Sequence, residues 1–167
     1  MSIKLRFVRG DGPLTGIISR AELGFPYTHV EAISDDDTIL TALIGDGVVE
    51  RYRDYDWGQN DLEMIVDVPA TGQQSEDFHK FLRAQLGKPY DLDAFACLNR
   101  GVLIAHEDIE NQLERPAFIC SALQTAALLS AGVIQSAPGG VRLTTPRDLL
   151  YAVGALTAIP EPTRLKP

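Results

Sequence analysis

Two thiols and three imidazoles are the groups in this chain whose types could carry nucleophilic chemistry. Cys120 stands in Phe118-Ile119-Cys120-Ser121-Ala122-Leu123, at the opening of a helix predicted over residues 116–131, with Pro116 at its start and Gly132 just past its end. A thiol in that position feels the positive end of the helix dipole and the free backbone N–H groups of the first turn. Both favour the thiolate, which is the nucleophilic form. The same N–H groups can donate to an oxyanion formed on an acyl carbon. Simple packing is the competing reading, because cysteine is among the most buried residue types. Cys97, in Ala94-Phe95-Ala96-Cys97-Leu98, lies mid-helix among apolar neighbours and reads as core filler. Two cysteines so far apart make neither a disulfide framework nor a structural zinc site.

The three histidines differ in setting. His79 follows Ser75-Glu76-Asp77 in an acidic helix and reads as a surface residue, and His106 precedes Glu107-Asp108-Ile109-Glu110 in a solvated stretch. His29 lies in the strand Tyr27-Thr28-His29-Val30-Glu31-Ala32-Ile33, where alternation puts His29 and Glu31 on one face. A carboxylate so placed can orient and polarise an imidazole. The bland alternative is a polar strand face that happens to hold both.

These residues need a scaffold, and the rest of the chain supplies one. With 167 residues, 45% hydrophobic and 23% charged, the sequence has globular composition and the length of one domain, residues 1–167. Lys and Arg number 15 against 23 Asp and Glu, a formal charge of −8, which disfavours a nucleic-acid backbone or an anionic membrane as partner. The longest apolar runs, such as residues 152–159, fall far short of the ~20 residues that span a bilayer, so no strong membrane association is expected. The first residues pass straight into a strand pattern without a signal-peptide core, which predicts a cytoplasmic protein; a phage-associated or helper-exported protein would carry the same features.

Period-two alternation at Ile3, Leu5 and Phe7 predicts a half-buried strand over residues 3–9, and residues 14–23 suit a short helix stopped by Gly24 and Pro26. Strands are predicted over residues 27–33, 38–44, 48–52 and 62–68, with turns at Asp35-Asp36-Asp37 and Gly45-Asp46-Gly47. Helical patterns follow: one starting at Ser75 and stopped by Gly87 and Pro89, one over residues 91–105 broken near Gly101, the Cys120 helix, and a capped short helix from Thr144 to Leu150. Residues 155–159 suit a last strand. Strands first and helices afterwards is an α+β pattern, an antiparallel sheet or small barrel packed against helices.

Several short segments then fall into a known order. Tyr27-Thr28-His29-Val30-Glu31 followed by Gly45-Asp46-Gly47-Val48 resembles the histidine strand and hairpin of the permuted papain-like amidases. These are circularly permuted relatives of NlpC-type cell-wall peptidases and kin of the lecithin:retinol acyltransferase group. Gly87-Lys88-Pro89-Tyr90-Asp91, the Phe-x-Cys-Ser of Phe118 to Ser121 heading a helix that ends in Ala131-Gly132, and the Thr-Pro-x-Asp-Leu of Thr145 to Leu149 match the family's later segments. The resemblance covers about residues 14 to 150. His29 precedes Cys120 by 120 − 29 = 91 residues, the reverse of ordinary papain-like chains and the order that permutation produces.

The resemblance implies a circularly permuted papain-like (NlpC-type) fold and a cysteine-dependent amidase, peptidase or acyltransferase. Cys120 would attack the carbonyl, His29 would take and return the proton, and Glu31 would hold the imidazole. The Cys120 N–H would face the oxyanion. The substrate would be a small molecule, peptide or acyl compound, with peptide fragments of the cell wall among the family's substrates. Neither metal nor organic cofactor is implied, because the thiol supplies the covalent chemistry. The chain departs from the pattern twice: Thr41 stands where many relatives carry Glu or His on the following strand, and Ala122 where many have Glu. Glu31 is expected to take the supporting role in place of Thr41. The alternative function is a binding or accessory module on the same fold, without catalysis.

Overall fold

The computed structural model describes residues 1–10, 15–21, 23–100, 117–137 and 140–165. In chain order the elements are β1 (Ser2–Gly10), α1 (Thr15–Ala21), β2 (His29–Ile33), β3 (Thr38–Leu43), β4 (Gly47–Tyr52), β5 (Asn60–Pro69), α2 (Gly72–Ala84), α3 (Leu92–Arg100), α4 (Cys120–Ser130), α5 (Pro146–Gly154) and β6 (Thr163–Arg164). The strands form one open antiparallel sheet in the order β4-β3-β2-β1-β5-β6, and the class is α+β.

One face of this sheet carries the core. Ile3, Leu5 and Phe7 of β1, Val30 and Ala32 of β2, Leu40 and Ala42 of β3, and Met64, Val66 and Val68 of β5 are all buried against the helical layer, which contributes Phe78 and Leu82 from α2 and Leu123, Ala126 and Ala127 from α4. Helix α4 runs through the middle of that layer, and every residue from Cys120 to Leu128 is buried. The other face of β1 departs from the half-buried expectation. Arg6 and Val8 are buried as well as Phe7, because the segment between β4 and β5 covers that side of the sheet.

Three boundaries differ from the sequence reading, each for a local reason. Helix α2 starts at Gly72 rather than Ser75, since Thr71 and Gln74 cap each other: the Thr71 hydroxyl accepts the Gln74 N–H at 3.2 Å and the Gln74 side chain accepts the Thr71 N–H at 3.0 Å. Helix α4 starts at Cys120, because Ile119 is extended (φ −86°, ψ 163°) and Phe118 pairs with Tyr90; Pro116 lies outside the described residues, as does the predicted continuation of α3 past residue 100. Residues 155–159 do not form a strand. The Val153 carbonyl accepts from the N–H groups of Leu156 and Thr157, which closes a turn after α5, and the last strand is Thr163–Arg164 against β5.

Candidate active site

The sheet opens at one point, and the candidate nucleophile lies there. Strand β3 pairs with β4 at six positions but with β2 at only two, Ala32↔Leu40 and Ile33↔Ile39. Toward His29 the two strands part, and α4 packs against both. The Gln124 amide of α4 donates to the Leu40 carbonyl at 2.8 Å, so a helix side chain takes up a backbone group in the part of the sheet that opens.

Cys120 is the first residue of α4, as the sequence pattern requires of a dipole-activated thiol. Its helix has no side-chain cap. The backbone N–H groups of Val30 and Ser121 hydrogen-bond the sulfur, and His29 both hydrogen-bonds it and faces it as a charge. Burial pushes the thiol up, but His29 and these donors outweigh it, and the Cys120 pKa is held below the ordinary thiol value. His29 moves the opposite way: burial opposes its charge, the Cys120 thiolate and then Glu31 outweigh burial, and its pKa is raised to about 10. Both shifts favour the thiolate–imidazolium form of the pair.

The imidazole is held from behind by two groups. Thr41 Oγ1 lies 3.1 Å from His29 Nε2 and Glu31 Oε2 lies 3.6 Å from the same atom. The Thr41 hydroxyl donates its own proton to the Val30 carbonyl at 3.2 Å, so its oxygen accepts from Nε2. That leaves Nδ1 as the ring nitrogen for the thiol. Strand parity thus brings Glu31 to His29 as expected, while Thr41, passed over in the sequence as a poor partner for an imidazolium, is the nearer of the two.

Glu31 is completely buried and anchored on three sides. Arg6 Nη1 donates to Oε1 at 2.5 Å, and the Tyr55 hydroxyl donates to Oε2 at 3.1 Å. Burial would raise its pKa, but His29 and Arg6 prevail and keep the carboxyl below its ordinary value. Arg6 in turn binds Glu63 at 2.6 Å and Asp56 at 3.0 Å, and Asn60 closes the network on Asp56. No sequence pattern announces this buried ion network. Only the position of Arg6 opposite Glu31 in the β1–β2 register hints at it.

The segments that carry the family resemblance act here as tethers. Gly47 opens β4 with φ 75°, and a Cβ there would run into the Lys88 carbonyl. The close approach lets Val48 and the Gly87–Lys88 backbone exchange hydrogen bonds at 2.8 and 2.9 Å. The other end of that stretch pairs with the residues before Cys120: Phe118 N–H donates to Pro89 and Asp91 N–H donates to Phe118. Residues 87–91 therefore splint the thiol to the edge of the sheet. Ser121 Oγ donates to the Thr144 carbonyl at 2.6 Å, and Thr145 with Asp148 forms a reciprocal cap on α5. Tyr90 is half-buried and close enough to Cys120 that burial first and the thiolate second raise its phenol pKa.

The other candidates separate cleanly. Cys97 is half-buried in α3, away from these groups. His79 is half-buried rather than on the surface, with Nδ1 2.8 Å from the Ser75 carbonyl one turn back. His106 lies outside the described residues. Beside His29 opens a cavity of about 570 Å³, with Tyr90, Tyr55, Asp56 and Asn60 among its polar lining and Val8, Ile18 and Leu43 among its apolar lining. Among the described residues no helix is long and apolar enough to cross a membrane.

Comparison with protein-family models finds no match, and comparison with curated protein sequences finds none either. Among solved structures, the crystal structure of the metalloprotein yiiX from Escherichia coli O157:H7 (DUF1105) is similar, with a TM-score of 0.62 and 12% sequence identity, covering 99% of this chain and 96% of that one. The likeness is one of fold.

Proposed function

We propose that this protein is a cysteine-dependent hydrolase or acyltransferase on a permuted papain-like fold, acting on an amide or ester through Cys120 and His29. The observation that carries the reading is the buried thiol–imidazole pair, in which the Cys120 pKa lies below the ordinary value and the His29 pKa above it. In the first half-reaction the thiolate adds to the carbonyl carbon. The Cys120 N–H, which has no partner among the described residues, donates to the oxyanion. The bond to the leaving nitrogen or oxygen then breaks as His29 gives it a proton, leaving a thioester. In the second, water or an acceptor amine or alcohol loses its proton to His29 and attacks the thioester, releasing the acyl product and restoring the ion pair. Glu31 and Thr41 keep Nε2 engaged throughout, so that Nδ1 does the proton work.

The yiiX protein is a metalloprotein. In this chain Cys120 and His29 engage one another and Glu31 is committed to Arg6 and Tyr55. Among the described residues no group of three or more His, Cys, Asp and Glu is placed to hold a metal ion, so the residues here do not fit one.

A second reading, a binding module without catalysis, draws support from the cover over the thiol: Cys120 is only 5% exposed. Iodoacetamide separates the two. A catalytic Cys120 is alkylated well below the ordinary thiol pKa of ~8.5, ahead of Cys97, and its rate changes again at the alkaline loss of the His29 charge near 10. Equal, slow alkylation of both thiols at high pH only would favour the binding module.

A further inference from the structure

Tyr55 lines the cavity beside His29 and donates its hydroxyl to Glu31, the carboxylate behind the ring. We infer that Tyr55 is a positioning residue for the proposed reaction: by holding the Glu31 oxygen that faces Nε2, it limits how strongly the carboxylate supports the imidazole. The inference rests on the roles proposed for Cys120 and His29 and adds the group that sets the strength of that support.

Glu31 has two oxygens and three donors to serve. Oε1 accepts from Arg6 Nη1 at 2.5 Å, which leaves Oε2 between the Tyr55 hydroxyl at 3.1 Å and His29 Nε2 at 3.6 Å. The phenol holds the nearer place, and the short contact of the imidazole is with Thr41 Oγ1 at 3.1 Å instead. A carboxylate oxygen that already accepts one hydrogen bond has less charge to offer a second donor. Tyr55 is fixed in this duty. Burial, then the charges of Glu31 and Asp56, push its phenol well above the ordinary value, so the hydroxyl keeps its proton and donates. Its neighbours are pinned as well: the Arg53 N–H donates to the Asp37 carbonyl at 3.2 Å, and Asp56 accepts from Arg6 and Asn60.

The balance matters because the imidazole must both hold a proton and release it to a leaving group. Other charges also bear on the ring. Cys120 of α4 faces it, and the Tyr90 phenol shares its cavity. Asp46 and Arg51 line that cavity too and pair with each other at 2.8 Å. Arg6, with Asp56 bound to it, stands on the other oxygen of Glu31. Among the described residues, Glu31 is the only one of these that the Tyr55 hydroxyl bonds, so any effect of that hydroxyl on the imidazole runs through the carboxylate.

The test follows the His29 titration by NMR of the histidine-labelled full chain in a Cys120→Ser background. There the thiolate, the largest support of the imidazolium, is gone, and the midpoint lies below the value of about 10 that His29 has beside it. Tyr55→Phe, which removes only the hydroxyl, should raise that midpoint by about 0.5 to 1 unit, part of the worth of one hydrogen bond to a charged group. Glu31→Gln should lower it, and Tyr55→Phe added to Glu31→Gln should change it no further. With Cys120 restored, Tyr55→Phe should carry the alkaline limb of Cys120 alkylation upward, opposite to Glu31→Gln. Tyr55→Leu repeats the measurement if the Phe variant does not fold. An unchanged or lowered midpoint in Tyr55→Phe, or a rise that persists in the Glu31→Gln chain, overturns the inference. Equal, slow alkylation of Cys120 and Cys97 at high pH, with the rise intact, would instead overturn the catalytic reading and leave the control of the imidazole standing.

Discussion

The start of α4 and the starts of α2 and α5 solve the same problem in opposite ways. Thr71 with Gln74, and Thr145 with Asp148, satisfy the first-turn N–H groups by reciprocal side-chain caps. At α4 the N-cap is Ile119, which has no side-chain acceptor to give, and the first residue is a cysteine. The donors that a Ser or Asp would occupy are turned on sulfur and, under the proposed function, serve an incoming oxygen. Two of these helices spend their N-termini on stability; the third has no cap and is instead held in place through Phe118, Ser121 and Gln124.

The sharpest way to break this contrast is at the sulfur. Cys120→Ser should abolish turnover of any amide or ester substrate, because a hydroxyl does not ionise beside His29, whereas Cys97→Ser should leave turnover intact. Activity surviving in Cys120→Ser, measured by product release, would reduce α4 to an uncapped structural helix.

Next in size is the support of the imidazole. Glu31→Gln is expected to lower turnover at least ~10-fold, about 1.4 kcal/mol in barrier, because it removes the charge facing His29. Thr41→Val, which removes a neutral acceptor, should cost less. Following the alkylation rate of Cys120 against pH in both variants checks the assignment: Glu31→Gln should move the alkaline limb downward, since the raised His29 pKa depends in part on Glu31. A larger shift in Thr41→Val would reverse it.

The smallest effect sharpens the contrast from the capped side. Thr71→Ala should cost about 1 kcal/mol of stability in urea unfolding and leave Cys120 alkylation unchanged, because the start of α2 lies against Gly132, at the end of α4 opposite the thiol. Thr145→Ala should cost a similar amount and also disturb alkylation slightly, since the neighbouring Thr144 carbonyl holds Ser121.

The amino-acid sequence made much of this legible, and the exceptions are instructive. The strands and turns of the first 70 residues follow alternation and glycine placement, and the parity of β2 alone puts Glu31 beside His29. Thr41 is legible by position but not by role, because charge favours Glu31 as the imidazole's partner while the structure uses the Thr41 oxygen to engage Nε2. The Arg6 network was not legible at all. Alternation assigns Arg6 to a solvent face, and no local signal says that residues between β4 and β5 fold back to cover it. The start of α4 was misplaced for the opposite reason: Pro116 is a fair helix-start signal, but a tertiary bridge from Phe118 to Tyr90 keeps the chain extended until Cys120.

The separation of Cys120 from its partners along the chain sets an order of events. Arg6, His29, Glu31, Thr41 and Tyr55 all leave the ribosome well before residue 120, and a chain synthesised from its N-terminus can build the imidazole's surroundings before the thiol arrives. Until α4 seats itself between β2 and β3, Cys120 has neither the helix dipole nor His29 beside it and is an ordinary, sluggish thiol. Under the proposed function, docking of one buried helix is thus also the arming step, and a half-made or misfolded copy carries Cys120 only as an unactivated thiol.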